Sequence, residues 1–181
     1  MAQFVLQNVR LSFPSLAEPS NFDGQIGKYE ATFLFDQESQ AKLYDKVKGE
    51  MDKLLTEHMS KDGKLPKIPA AKLCVKDGDE VEYDGYNNQW SFKASNKKQP
   101  ELFDADKTRL MTADKFYAGC YVDVIADLWY QDNKFGKRIN ANLFAVRFRK
   151  DGDAFGGNNL DDDLLDQLDD IDDEDLKDFA E

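Results

Sequence analysis

Apolar and polar residues alternate along most of this chain, at the two-residue period of β-strands. Residues 3–13 alternate with Val5, Val9, Leu11 and Phe13 in phase, and Pro14 predicts the strand's end. Residues 28–35 predict a second strand, with Tyr29, Ala31, Phe33 and Phe35 on one face. The period then changes. Over 37–60, Leu43, Val47, Met51, Leu54, Leu55 and Met59 recur at helical spacing, with Asp36 as the predicted cap. Residues 73–76 predict a short strand before the turn Asp77-Gly78-Asp79, and 88–98 predict another, with Trp90, Phe92 and Ala94 inward. Residues 120–131 predict a long strand with Val122, Val124, Ala126, Leu128 and Tyr130 on one face. Its expected hairpin partner is 138–149, with Phe144, Val146 and Phe148 opposed to Ala145, Arg147 and Arg149. Many strands, one helix and no βαβ rhythm predict a mainly β fold: an OB-like five-stranded barrel with additional strands and one packed helix.

Charge divides the chain in two. The formal net charge is −12, from 24 Lys and Arg against 36 Asp and Glu. Residues 160–181 alone hold 12 acids and one base, so the rest is nearly neutral. Within that body, residues 90–150 carry a net +5. The expected organisation is a domain over 1–150 followed by a linker and acidic tail over 151–181, disordered when free. No apolar run suggests a membrane helix, and no signal peptide is seen. The two cysteines, Cys74 and Cys120, make no disulfide framework, so a reducing cytoplasm is expected, the host's if the chain is phage-encoded.

Catalytic chemistry has few candidates. The single His58 falls in the helix pattern and reads as solvated, which removes most triads and dyads. The pairs Asp77/Asp79 and Asp151/Asp153 lack the spacing of a calcium loop and read as turns. The chain is read as non-enzymatic, with no metal and no cofactor. A magnesium-dependent nuclease built on those Asp pairs is a distant third reading.

Binding chemistry has more. Single-strand binding without sequence choice needs rings for bases and cations for phosphates. The candidate set is Lys28, Tyr86, Lys93, Lys97, Lys98, Arg109, Tyr117, Trp129, Lys137, Arg138, Arg147 and Arg149. Trp129 shares its strand face with Asp123 and Asp127, not with the apolar residues. Lys93, Lys97 and Lys98 read equally as solvated surface lysines. The acidic tail resembles that of prokaryotic and phage single-stranded DNA-binding proteins. This implies competition with DNA and docking of replication proteins (a polymerase, helicase or primase) through Asp172, Asp173, Asp175, Asp178 and Phe179.

The body resembles a bacteriophage family of OB-fold single-stranded DNA-binding proteins, formerly a domain of unknown function. The resembling segments are Asn8-Val9-Arg10-Leu11-Ser12-Phe13-Pro14, Lys28-Tyr29, Val75-Lys76-Asp77-Gly78-Asp79, Tyr86 and Phe92-Lys93-Ala94-Ser95. They continue through Pro100, Phe116-Tyr117-Ala118-Gly119-Cys120-Tyr121-Val122, Trp129-Tyr130, Gly136 and Asp151-Gly152, over roughly residues 3–157. The resemblance implies a barrel holding DNA on its strand face in phage replication, recombination or repair. A homodimer is compatible with it, and a membrane partner is not expected. The alternative is an acidic-tailed DNA mimic or chaperone-like interaction protein.

Overall fold

A computed structural model describes residues 2–22, 25–83, 85–155 and 162–168; the tail residues from Asp172 to Phe179 lie outside them. The strands are β1 (Phe4–Ser15), β2 (Asn21–Phe22), β3 (Gln25–Ile26), β4 (Tyr29–Asp36), β5 (Val75–Asp77), β6 (Gln89–Asn96), β7 (Glu101–Phe103), β8 (Tyr121–Asn133) and β9 (Gly136–Lys150). The helices are α1 (Ala41–Glu57) and a single turn, α2 (Asp162–Leu165). The main sheet runs β5-β6-β4-β1-β8-β9-β7. A parallel contact between β6 and β9, at Ser95 and Asn142, joins β6 to β9 and closes β1, β4, β6, β9 and β8 into a ring. That is the OB-like barrel, mainly β with one long helix beside it. Side chains that alternate inward fill it: Leu6, Val9, Leu11, Phe33, Phe35, Phe92, Val122, Val124, Leu128 and Leu143 are all at most 1 % exposed.

Alternation is interrupted where the strands bulge. In β1 the ladder slips between Leu6 and Val9, and Asn8 adopts φ 59°. An extra residue reverses which parity faces inward. Phe4 and Leu6 are therefore buried before the bulge, and Val9 and Leu11 after it, while Val5 points out. A second slip, between Ser12 and Ser15, turns Phe13 outward and carries the strand past Pro14. The expected shared face of Val5, Val9, Leu11 and Phe13 is thus split by backbone geometry. Along β9 a bulge at Phe144 does the same: Ile139, Ala141 and Leu143 face the core before it, and Val146 after it.

Helix α1 is shorter than the 37–60 pattern. Residues 37–40 form a turn whose amides at Glu38 and Ser39 donate to Asp36 Oδ1, so Asp36 caps this turn and not the helix itself. Gln40 then donates from Nε2 to the Asn8 carbonyl at 2.7 Å, which ties the helix start to the β1 bulge. The helix buries Val47, Met51 and Leu54, and Tyr44 stacks on Trp90 with ring centroids 4.1 Å apart. Trp90 is therefore a helix-docking residue at the edge of the core.

Candidate nucleic-acid interface

The outer surfaces of β4 and β6, with the near end of β9, form the floor of a groove of about 760 Å³. Outward alternation supplies the floor: Thr32 from β4, Ser91, Lys93 and Ser95 from β6, Arg138 and Asn140 from β9. Lys72 and Lys76 line it from the segment around β5. Glu30, Asp77 and Glu80 line it too, so cations exceed carboxylates by little. Of these acids, Glu30 lies 3.5 Å from Lys93 Nζ, and Asp77 accepts from Gln37 Nε2 and the Asp79 amide. Among the described residues, no group of His, Cys, Asp and Glu is gathered that could hold a metal ion.

Three rings stand at one end of the groove. Phe13 and Tyr83 meet edge to face at 5.2 Å, and Tyr83 meets Tyr86 at 5.3 Å. Phe13 is 59 % exposed and Tyr83 55 %, whereas Tyr86 is buried beneath them. Tyr86 Oη and Ser12 Oγ share a hydrogen bond of 2.8 Å. Burial pushes the Tyr86 phenol above its ordinary value, so it stays neutral and holds the two exposed rings from below. Cys74, at the groove floor, is desolvated and its thiol is pushed up to about 12.

Beyond Asn140, on the same outer face, Trp129 is its partner across the β8–β9 ladder. Lys28 Nζ lies 5.9 Å from the Trp129 ring centroid. Trp129 is half-buried and outside the barrel, and Lys137 is exposed near the hairpin tip. Phe135, 68 % exposed, stands at that tip. Lys97 and Lys98 are exposed just beyond Asn96, whose ladder partner is Tyr29, next to Lys28. Tyr86, Lys93, Trp129, Lys28, Arg138 and Lys137 are therefore brought to one side of the barrel, with Lys97 and Lys98 at its margin.

The other candidates have partners elsewhere. Arg147 donates to Asp123 Oδ2 from Nε at 2.9 Å and from Nη2, and Arg149 Nη1 donates to Asp123 Oδ1 at 3.1 Å. Asp123 also accepts the Asn8 amide at 2.8 Å. The β1 bulge removes that amide from the ladder, and the carboxylate satisfies it. Burial would raise the Asp123 carboxyl, but the Asn8 amide and the two guanidinium groups outweigh it and hold the group below its usual range. Arg109 pairs with Glu101 at 3.2 Å beside β7. Tyr117 donates from Oη to Asp151 at 2.8 Å, securing the chain after β9.

Sequence reasoning missed Phe13, Lys72 and Lys76. Phe13 looked like a core residue because its parity matched Leu11, and only the bulge turns it out. Lys72 ends a connection and Lys76 a short predicted strand, and only the fold lays them beside β6 in the groove.

A family model described as "Enterobacter phage Enc34, ssDNA-binding protein" matches residues 2–176. A protein of Acyrthosiphon pisum secondary endosymbiont phage 1, "Putative protein p50", is 38% identical over 161 residues, covering 84% of this chain and 85% of its own. Among solved structures, the single-stranded DNA-binding protein from bacteriophage Enc34 in complex with ssDNA is similar with a TM-score of 0.75 and 31% identity, over 85% of this chain and 89% of that one. The gp2.5 single-stranded DNA-binding protein of bacteriophage T7 has a TM-score of 0.57 at 14% identity, over 93% of this chain and 95% of its own, a likeness of fold alone.

Proposed function

The chain belongs to the Enterobacter phage Enc34 ssDNA-binding protein family, and from that premise we propose that it binds and coats single-stranded DNA through the β4–β6–β9 groove. The observation that carries this reading is the pair of exposed rings, Phe13 and Tyr83, at one end of a groove with cations on its walls. Unpaired bases have free faces to stack on rings, and duplex bases do not. Lys28, Lys72, Lys76, Lys93, Lys137 and Arg138 neutralise the backbone, with Lys97 and Lys98 beside them. Trp129 adds a further stacking surface. No catalytic step is assigned.

The finer reading places the protein in phage replication, recombination or repair, in the host cytoplasm. The acidic tail competes with DNA and recruits a replication protein through the segment of Asp172, Asp173, Asp175, Asp178 and Phe179. A titration of the full chain with labelled oligo-dT and with a duplex of equal length tests the binding reading. Preferential binding of the single strand, with quenching of tryptophan emission, is expected. Equal binding to both, or binding to neither, overturns it.

A further inference from the structure

Residues 151–155, at the base of the expected linker, are bonded to the body. Tyr117 Oη donates to Asp151 and accepts from the Gly152 amide at 3.1 Å, and the Phe155 amide donates to the Ala118 carbonyl at 3.1 Å. Arg10 donates from Nη2 to the Asp153 carbonyl and from Nε to the Gly119 carbonyl. The same guanidinium lies 4.1 Å from the centroid of the Phe155 ring and 5.8 Å from that of Tyr121. Two glycines make room for this arrangement. A Cβ at Gly119, φ 115°, would collide with the Asp153 carbonyl, and a Cβ at Gly85, φ 80°, would collide with the Phe155 ring.

Gly85 links this cluster to the groove, because it lies between Tyr83 and Tyr86 in the chain. The described residues of the stretch 81–88 lie in no strand or helix. Its described anchors include the Tyr86–Ser12 hydroxyl bond, the Asn88 amide donating to Asp79, the Val81 amide donating to the Gly78 carbonyl, and the Tyr86 and Asn88 carbonyls accepting from the Gln89 and Gln37 amides; none of them holds Tyr83 or Gly85 to the body. Tyr83 has edge-on contacts with Phe13 and Tyr86 in front, and the Phe155 ring supports the backbone of its loop at Gly85.

We infer that Phe155, clamped by Arg10, is a positioning residue for single-strand binding: its ring wedges the 81–86 loop so that Tyr83 stands beside Phe13 as a stacking surface. The inference rests on the reading of that groove end as the DNA site. Phe155 carries no charge and makes no phosphate contact of its own; its ring is engaged by the Arg10 guanidinium and the Gly85 backbone, which routes its effect through the loop. It also ties the root of the acidic tail to the aromatic end of the groove.

The test uses the full chain and four variants: Phe155→Ala, Phe155→Tyr, Tyr83→Ala and the double variant Tyr83→Ala/Phe155→Ala. Each is titrated with labelled oligo-dT, melted, and followed by amide exchange. Phe155→Ala is expected to weaken oligo-dT binding by about fivefold, part of the effect of one stacked ring. Exchange should accelerate over 81–86 and stay unchanged in the barrel strands. Phe155→Tyr should restore both. The double variant should bind no more weakly than Tyr83→Ala alone, the signature of two residues acting as one unit. Unchanged affinity or unchanged 81–86 exchange in Phe155→Ala overturns the inference. So does a double variant whose loss equals the two single losses combined. If the unmodified chain fails to bind oligo-dT, the DNA reading itself fails, while amide exchange still reports separately whether Phe155 wedges the loop.

Discussion

Phe13 is a bulky residue held at φ 45°, a backbone region that costs a non-glycine residue on the order of 1–2 kcal/mol. Its ring is exposed, so core burial does not offset that cost. Strain of this kind persists where a function uses the side chain. Phe13→Gly relieves the backbone and removes the ring. A melting midpoint no lower than that of the natural chain is expected, with oligo-dT binding weaker by on the order of tenfold. Trp129→Ala should likewise weaken oligo-dT binding about tenfold or more while the midpoint moves little, since one stacked ring is worth roughly 1–3 kcal/mol. A large drop in midpoint would instead make Trp129 a brace of the hairpin. Asp123 belongs to stability. Its folded carboxyl is depressed, so its contribution is present above the unfolded value of about 3.9 and is lost as pH falls through the folded one. Asp123→Ala leaves the Asn8 amide without its acceptor and should cost about 2–3 kcal/mol at neutral pH. Asp123→Asn should cost less and flatten the acid limb of a stability-versus-pH curve measured by urea titration.

At the scale of elements, the bulges decide which side chains the barrel shows to solvent. Those in β1 present Phe13 to the groove and create the amide that Asp123 accepts. The one at Phe144 lets β9 place Arg138 and Asn140 on the groove side and still return Val146 to the core. This division of β9 has an electrostatic consequence. Single-strand affinity should fall with salt by about −0.7 in log–log slope per phosphate contact, so several contacts give roughly −2 to −4. Lys93→Gln or Arg138→Gln should make the slope shallower by about one contact. Arg147→Gln should change it much less, because Nε and Nη2 of that guanidinium are both held by Asp123 on the other end of β9, and should lower stability instead. A titration at a series of salt concentrations separates these outcomes. A shallower slope in Arg147→Gln would extend the DNA path to the far end of β9.

For the whole molecule, the governing feature is a net charge of −11 over residues 160–181 attached to a nearly neutral body. The body holds the chain as far as Phe155, beside the Phe13–Tyr83 end of the groove. On the proposed function, a polyanion tethered there would compete at high effective concentration for the same cations as DNA. Ending the chain after Asn159 is expected to tighten single-strand binding and to permit weak duplex binding, because competition excludes the weaker ligand first. The gain should shrink as salt rises and screens tail and DNA alike. Affinities for both ligands at low and high salt check this. Equal low-salt affinities before and after truncation would mean that the tail does not compete.

Periods and composition, which are local properties, were legible in the sequence. The two-residue rhythm around 28–35, 88–98 and 120–131 marked the strands, and the helical spacing of Val47, Met51 and Leu54 marked α1. The charge step after residue 159 is a property of the sequence itself. The family resemblance was legible too, because the spacing of its short segments survives in linear order. Tertiary structure alone decided where a period breaks and what faces whom. A bulge is one extra residue with no reliable sequence mark, yet it reverses every later side chain on its strand. So parity placed Phe13 inside and the backbone turned it out. A charge in a sequence likewise has no stated partner. Arg138 and Arg147 lie nine residues apart on one strand, but one lines the groove and the other closes on Asp123, 24 residues away. The contacts around Phe155 need Arg10, Gly85 and Gly119 together. No local rule connects them, because their contact exists only once the barrel has closed and brought those four segments to one place.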